Sequence, residues 1–322
     1  MSEQRPLHLR IQCVQWEAEG VVSLHFVDPD GSDLPAWEPG AHLDLVLPSG
    51  LVRQYSLCGR ASDKKSYRVA ILLEEKGRGG SQEVHGTGLV GRVLEAHGPK
   101  NHFELADAES YLFLAGGIGI TPILPMIERA AALGIPWKLS YGAKSLAHMS
   151  FLGQLGEMKG GELDLVPQDV RGLMDIRSIL ADADPNALVY GCGPGPMLHV
   201  LEEITDSFGM RSRLRLERFG AITKRVDPET GNRDTGFEVE LKSSGIVLYV
   251  PPDRSVLSVV RDVLPDVLSS CEEGYCGTCE TLVLSGTPDH RDSILSDAER
   301  SGGEIMMICV SRSRSDRLVL DL

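Results

Sequence analysis

Three textures follow one another along the 322 residues and predict a multidomain protein with β, α/β and β parts. Short apolar or alternating runs between glycine- and proline-rich turns fill residues 1–105. Strand-like and helix-like stretches alternate over 106–221. After a polar stretch at 222–236, β texture returns over 237–322 with four cysteines set in it. The length agrees, being about twice the ~150 residues expected of one domain.

In the first part the runs are Leu7–Val14, Val21–Phe26, His42–Leu47, Tyr67–Leu73 and Gly91–Glu95. DPDGSD, EPG, PSG and HGPKN separate them, a spacing that predicts an antiparallel barrel or sandwich. In the second part Tyr111–Ala115 is a buried-strand candidate. Glycines follow it, then the apolar-periodic stretch Ile123–Leu133, closed by Gly134. Trp137–Tyr141 and Ala187–Gly191 are further strands, and Met197–Phe208 is a second helix. Such βα units predict a doubly wound parallel sheet. ITKRVDPETGNRDTG (222–236) carries almost no core residues and reads as a linker. The last part offers strands at Phe237–Leu241 and Ile246–Val250, a short helix near Ser255–Val263 and a terminal run Leu318–Leu322.

Composition excludes several functions. With 42% hydrophobic and 24% charged residues, wholesale disorder is not expected. A formal charge of −14 argues against nucleic acid, which needs a basic surface. No run approaches the ~20 apolar residues of a membrane helix. MSEQRPLHLR lacks a signal-peptide core, so a cytoplasmic protein is expected. Seven cysteines in such a chain do not make a disulfide scaffold. Cys13, in a strand-like run, is expected to pack as a small hydrophobe, and Cys58 to pack likewise.

Cys271, Cys276, Cys279 and Cys309 stand apart from the rest. Their spacing, C-x4-C-x2-C-x29-C, is that of plant-type 2Fe–2S ferredoxins. Three ligands on one tight loop suit a small cluster, and Gly274 and Gly277 let that loop curl. Structural zinc is the alternative, but it favours two C-x2-C pairs and only one is present. His290–Arg291–Asp292 reads as a local turn network without a chemical role.

Two further patterns carry chemistry. Arg53–Gln54–Tyr55–Ser56 is an R-x-Y-S motif, and Gly77–Arg78–Gly79–Gly80–Ser81 is a flexible loop suited to a phosphate, with Arg78 or Arg53 making charge-assisted bonds. Gly116–Gly117–Ile118–Gly119–Ile120–Thr121–Pro122 leads from strand to helix, with Thr121 as N-cap and Pro122 as first helical residue. The helix dipole and free N–H groups there favour a pyrophosphate. About 75 residues on, Tyr190–Gly191–Cys192–Gly193–Pro194 makes a second such turn. Lys144, after the strand Trp137–Tyr141, reads as a solvated charge. With no arginine cluster there, NADH is expected over NADPH.

RQYSLC, GRGGS, AGGIGITP, GCGP, ERFGA, CEEGYCGTC, DHRD and ICVSR fall in the order seen in the phthalate dioxygenase reductase family, which includes the vanillate O-demethylase reductases. The resemblance covers nearly the whole chain. It implies an antiparallel flavin-binding β-barrel, a nicotinamide-binding α/β domain and a C-terminal β-grasp ferredoxin domain. It assigns Arg53 to flavin phosphate, Tyr55 to the isoalloxazine ring and Ser56 to the region of its reactive nitrogen. It also places Cys192 beside the nicotinamide and Phe219 over the flavin, and makes FMN the flavin. Leu72, Leu73 and Arg218 depart from residues common in the family.

The implied activity is an NADH-dependent reductase. NADH gives two electrons together, a 2Fe–2S cluster takes one at a time, and a flavin mediates between them. The implied acceptor is a Rieske-type terminal oxygenase. A cytochrome P450 or other monooxygenase is the alternative acceptor, and a non-catalytic redox sensor or electron-carrying subunit the alternative class. Residues 235–322 hold 15 acidic and eight basic side chains, with Glu272 and Glu273 flanking the first cluster ligand, so a basic docking partner is expected.

Overall fold

The computed structural model describes residues 6–75, 77, 79–86, 88–219, 235–269, 271–272 and 274–322. Arg78, Glu273 and nearly all of the predicted linker lie outside them. The chain divides into two compact units, Met1–Phe219 and Gly220–Leu322.

The first unit begins with β1 (Leu7–Ala18), β2 (Val21–Val27), β3 (Ala41–Val46), β4 (Val52–Ser56), β5 (Ser66–Leu72), helix α1 (Gly80–Gly86) and β6 (Val93–Asn101). Their antiparallel sheet runs β4-β3-β6-β1-β2-β5. Leu57, just past β4, bridges to Val69 of β5 and closes the sheet into a barrel. Alternation drives the burial: Leu9 and Ile11 of β1 and Leu43 and Leu45 of β3 point into one apolar core. The barrel departs from its sequence pattern at two places. Cys13 is exposed, because a register shift between Ile11 and Cys13 turns the following side chains over. HGPKN is not a separator but the second half of β6, where the shift opposite His42 and Asp44 absorbs the irregular backbone.

The same unit continues through β7 (Tyr111–Gly116), α2 (Ile120–Leu133), β8 (Trp137–Ala143), α3 (Leu152–Glu157), β9 (Gly161–Pro167), α4 (Gln168–Arg171), α5 (Ile176–Ala181), β10 (Leu188–Cys192), α6 (Gly195–Ser207) and β11 (Leu214–Glu217). All five strands are parallel, in the order β11-β10-β7-β8-β9. The chain builds outward from β7 to β9, then returns to the other side of β7. The sheet therefore reverses direction between β7 and β10, where α/β folds open a crevice at the strands' carboxyl ends.

An aromatic cluster fastens barrel to sheet. Tyr190 of β10 packs against Phe103, Tyr111 and Phe113. Its hydroxyl donates to the Glu104 carbonyl at 3.0 Å and accepts from the Ala106 N–H at 2.8 Å. Buried tyrosines keep such partners because an unpaired hydroxyl costs free energy.

The second unit holds β12 (Phe237–Leu241), β13 (Ile246–Val250), α7 (Val256–Val260), β14 (Glu280–Ser285), β15 (Pro288–Asp289), α8 (Asp297–Gly302), β16 (Ile305–Met307), β17 (Arg312–Ser313) and β18 (Arg317–Leu320). Its main sheet runs β13-β12-β18-β14-β16, with β18 parallel to β12. This mixed sheet, with α7 on its apolar core, is the expected β-grasp arrangement. Tyr190→Phe strands the Glu104 carbonyl and the Ala106 N–H. It is expected to lower the stability of the first unit by about 1–3 kcal/mol, read by urea unfolding, with the transition of the second unit unmoved.

Candidate functional site

The two glycine motifs meet at the reversal point. Ala115 at the end of β7 lies opposite Cys192 at the end of β10. A Cβ on Gly119 would sit 2.2 Å from the Cys192 carbonyl oxygen. One on Gly116 would sit 2.5 Å from Pro194 Cδ, and one on Gly193 3.0 Å from the Gly116 Cα. The two turns thus interlock backbone to backbone, and side chains are excluded. Gly117, with φ of +55°, turns the chain in the left-handed region. Both α2 and α6 start at this crevice, and α6 does so without a side-chain cap, leaving N–H groups directed outward.

Thr121 is not the N-cap. A 3-10 turn, Gly117–Gly119, makes the chain helical before Thr121 is reached, so Gly119 occupies the cap position. Thr121 is buried and its hydroxyl donates to the Ile118 carbonyl at 2.9 Å.

Cys192 is fully buried, and burial together with the neighbouring Glu217 pushes its thiol well above the usual range. Glu217 of β11 is its register partner. Its Oε2 is shut from solvent without a hydrogen-bond partner, and desolvation pushes its pKa from the ordinary 4.5 up to about 8. It therefore holds a proton at neutral pH. The sequence reading passed over Glu217, although it opens the ERFGA motif. Phe219 is 36% exposed. Arg218 beside it pairs with Glu202 of α6. Lys144 is exposed, and its carbonyl accepts from the Asp169 N–H at 3.1 Å, joining the loop after β8 to α4.

On the barrel, Arg53, Tyr55 and Ser56 lie on β4. The predicted loop is half helical, because Gly80 and Ser81 open α1. Gly77 and Gly79 precede it, and the Ser81 hydroxyl accepts from the Glu74 N–H at 2.9 Å. A Cβ on Gly80 would lie 2.7 Å from Arg53 Cγ and Nε, so the two motifs are in direct contact. Glu83 of α1 accepts from the Ser49 N–H at 2.8 Å and from the Ser49 hydroxyl at 2.5 Å, pinning the helix to the β3–β4 turn. Burial pushes the Tyr55 phenol up to about 12, so it stays protonated. Ser56 is buried opposite His42. His42 is held neutral by burial, which pulls it down to about 3, and stacks on His102 at 5.5 Å. Nothing in the sequence pattern marked it. Cys58, two residues past Ser56, shares one apolar cluster with Ile120, Tyr141 and Cys192, which draws the end of β4 toward the crevice. A glycine-lined phosphate cradle and an aromatic edge suit a flavin mononucleotide.

In the second unit Cys271, Cys276, Cys279 and Cys309 are all buried. The thiols of Cys276 and Cys271 are within hydrogen-bonding reach, as are Cys309 and both Cys279 and Cys271. The neighbouring Cys271 and burial push the Cys276 thiol up. For Cys309 a bond with Cys271 pulls down, but Cys279 and burial outweigh it. The Tyr275 N–H points at Cys271 Sγ (3.5 Å) and the Cys271 N–H at Cys276 Sγ (3.4 Å). Gly274, at φ +75°, has no room for a side chain, since a Cβ would meet Val310 Cγ2 at 2.5 Å. Among the described residues no three His, Cys, Asp or Glu side chains are arranged for a single ion. Two irons sharing four thiolates make a different demand, which the pairs Cys271–Cys276 and Cys279–Cys309 suit. Cation binding at such thiols displaces their protons. Asp292 organises the turn behind the loop, accepting from the Leu295 N–H at 2.9 Å and from Arg300 at 3.1 Å.

Comparison with known proteins agrees with this geometry. Residues 239–314 match the 2Fe-2S iron-sulfur cluster binding domain family. The phenoxybenzoate dioxygenase subunit beta of Ectopseudomonas oleovorans is 38% identical over 319 residues, spanning 98% of each chain. The structure of phthalate dioxygenase reductase, described as modular for electron transfer from pyridine nucleotides to [2Fe-2S], is 34% identical. It covers 99% of this chain and 98% of that one, with a TM-score of 0.71. An intact type IV self-sufficient cytochrome P450 monooxygenase is 38% identical with a TM-score of 0.87. The match takes in 98% of this chain but 41% of that one.

Glu217 gives a signed pH dependence. Its folded pKa lies above its unfolded value, so between pH 4.5 and about 8 the native state holds the extra proton and stability falls as pH rises. Glu217→Gln is expected to flatten that fall, gaining on the parent by up to a few kcal/mol at pH 8 relative to pH 5, in urea unfolding of the first unit.

Proposed function

The chain belongs to the phthalate dioxygenase reductase family, and we propose that it is the NADH-dependent reductase component that supplies electrons singly to a Rieske-type terminal oxygenase. One observation carries this reading. A single chain holds a glycine-floored crevice at the reversal of a parallel sheet and a buried loop of converging thiols. A bound flavin accepts a hydride and yields electrons singly, and a bound 2Fe–2S cluster takes them one at a time.

The residues divide the work. Gly116, Gly117, Gly119, Gly193 and Pro194 leave room for a pyrophosphate against backbone, and Thr121 braces the turn beneath it. Cys192 and Glu217 floor the nicotinamide end, Glu217 keeping a proton up to about pH 8. Arg53, with Gly79, Gly80 and Ser81, holds the FMN phosphate, and Gly77 and Arg78 belong to the same loop. Tyr55 and Ser56 line the ring, and Phe219 covers it. Cys271, Cys276, Cys279 and Cys309 hold the cluster, and burial keeps water from it. NADH is preferred to NADPH because no arginine cluster joins Lys144 at the ends of β8 and β9. The domains run 1–105, 106–221 and 237–322, with 222–236 as linker. No helix among the described residues is long and apolar enough to cross a membrane. We place the protein in the cytoplasm, where NADH is supplied and thiols stay reduced.

A cytochrome P450 as acceptor is the second reading. The fused P450 relative favours it, since nearly all of this chain matches part of a protein that carries its own P450. Either acceptor meets an acidic terminal domain. Transfer to it is expected to slow as salt rises to about 0.5 M, and a flat rate there would remove the charge-steering argument.

Anaerobic mixing with NADH tests the reading. Flavin and iron–sulfur absorption should bleach together, with about one flavin and two irons per chain, and mass analysis of the released flavin should return FMN. Cys276→Ser should lose cytochrome c reduction and keep NADH-to-flavin transfer. Loss of both together would overturn the electron order.

A further inference from the structure

The four cysteines are not held by their loop alone. Helix α7 touches both segments that carry them. At its start the Leu257 N–H donates to the Ile308 carbonyl at 2.9 Å, one residue before Cys309. Just past its end, Arg261 reaches the segment that leads into Cys271. Arg261 Nη1 donates to Glu272 Oε1 at 2.8 Å and Nη2 to Ser269 Oγ at 2.7 Å. Nε and Nη2 also approach the Val267 carbonyl, at 3.4 and 3.2 Å. Ser269 Oγ in turn donates to Glu272 Oε1 at 2.9 Å. Every nitrogen of the guanidinium is thus used on residues 267–272.

The segment needs such a hold. Glu272, directly after the first ligand, adopts φ of +53°, which a side-chain-bearing residue enters only at a cost. The planar fork of Arg261 fixes that conformation through three points at once, as a lysine's single ammonium does not. Ser269 is buried and anchors the network from inside, while the Arg261–Glu272 pair itself lies at the surface, 35% and 49% exposed.

We propose that Arg261 is a positioning residue for the iron–sulfur cluster. It sets the backbone at Cys271 relative to Cys309, and its pairing with Glu272 tunes the reduction potential. The inference rests on the cluster reading above. One-electron reduction adds a negative charge within the loop, so a nearby cation favours the reduced state and a nearby carboxylate opposes it. Removing either partner therefore moves the potential, in opposite directions.

The test uses the full-length holoprotein, with dithionite as electron donor, potentiometric EPR and iron release to a chelator as readouts. Arg261→Met is expected to release iron about tenfold faster than the parent, with shifted g-values and a more negative potential. Glu272→Gln keeps an acceptor for Arg261 and removes only charge, so it should release iron at the parental rate with a more positive potential. Arg261→Lys keeps the charge and loses the fork. It should release iron faster with a near-parental potential, and it serves if Arg261→Met does not fold. Parental release and g-values in both Arg261 variants would overturn the positioning role. A Glu272→Gln potential that is unmoved or more negative would overturn the tuning role. A parent protein without any 2Fe–2S signal would instead overturn the cluster reading itself.

Discussion

Backbone crowding between the ends of β7 and β10 is the constraint on which the first unit depends. Two turns approach so closely that a methyl group on Gly119 would overlap the Cys192 carbonyl. The approach occurs where adjacent parallel strands send their chains to opposite sides of the sheet, so the glycines and the strand order support one another. The same crowding buries Cys192, and the neighbouring Glu217 has one carboxyl oxygen shut from solvent, which pushes its pKa up to about 8. A surface of backbone N–H groups, a helix start without a side-chain cap and a neutral acid beneath them belong to one arrangement.

The second unit meets a different demand. Its ligand set is split by 29 residues, and its buried thiols gain nothing from being together until a cation displaces their protons. The fold therefore supplies the convergence in advance. The Ile308 N–H is 3.4 Å from the Cys279 carbonyl, and Gly274 leaves just enough room for Val310 and Asp292 behind the loop. The Ser293 N–H donates to the Gly274 carbonyl at 2.8 Å, so the turn organised by Asp292 backs the same loop. Preorganisation of this kind moves the cost of ordering the loop from cluster binding to folding.

Much of this was legible in residue order, and the parts that were not share a cause. Periodicity and punctuation marked the barrel strands, α2 with its Gly134 stop, α6 and the first hairpin of the second unit. The spacing of the cysteines and glycines marked the three candidate sites. Strands β9 and β11 escaped although Leu163 and Leu165, and Leu214 and Leu216, alternate with charged residues, because each alternation carries only two leucines and neither strand is buried throughout. Cys13 and HGPKN were misread because a register shift is a property of two paired strands, and one strand's sequence does not contain it. Thr121 looked like a cap because Ser, Thr and Asp before an apolar run usually are. A preceding turn of glycines had already begun the helix. Glu217, His42 and Arg261 were invisible for the same reason. Their chemistry comes from neighbours across the sheet or beyond a helix end, supplied only by tertiary contact.

Charge links the terminal domain's surface to its interior. An acidic shell that attracts a basic acceptor also raises the cost of adding an electron to an anionic cluster, which makes the reduced domain the stronger donor. Burial of the four thiols strengthens this effect, because few waters remain to screen it. A local cation beside the ligand loop opposes this effect without altering the far field that an approaching partner meets. Arg261 stands at that position, paired and fixed rather than free. Glu272 belongs to both, half-exposed on the surface and paired with Arg261 beside the first ligand, so docking and electron transfer meet at this residue.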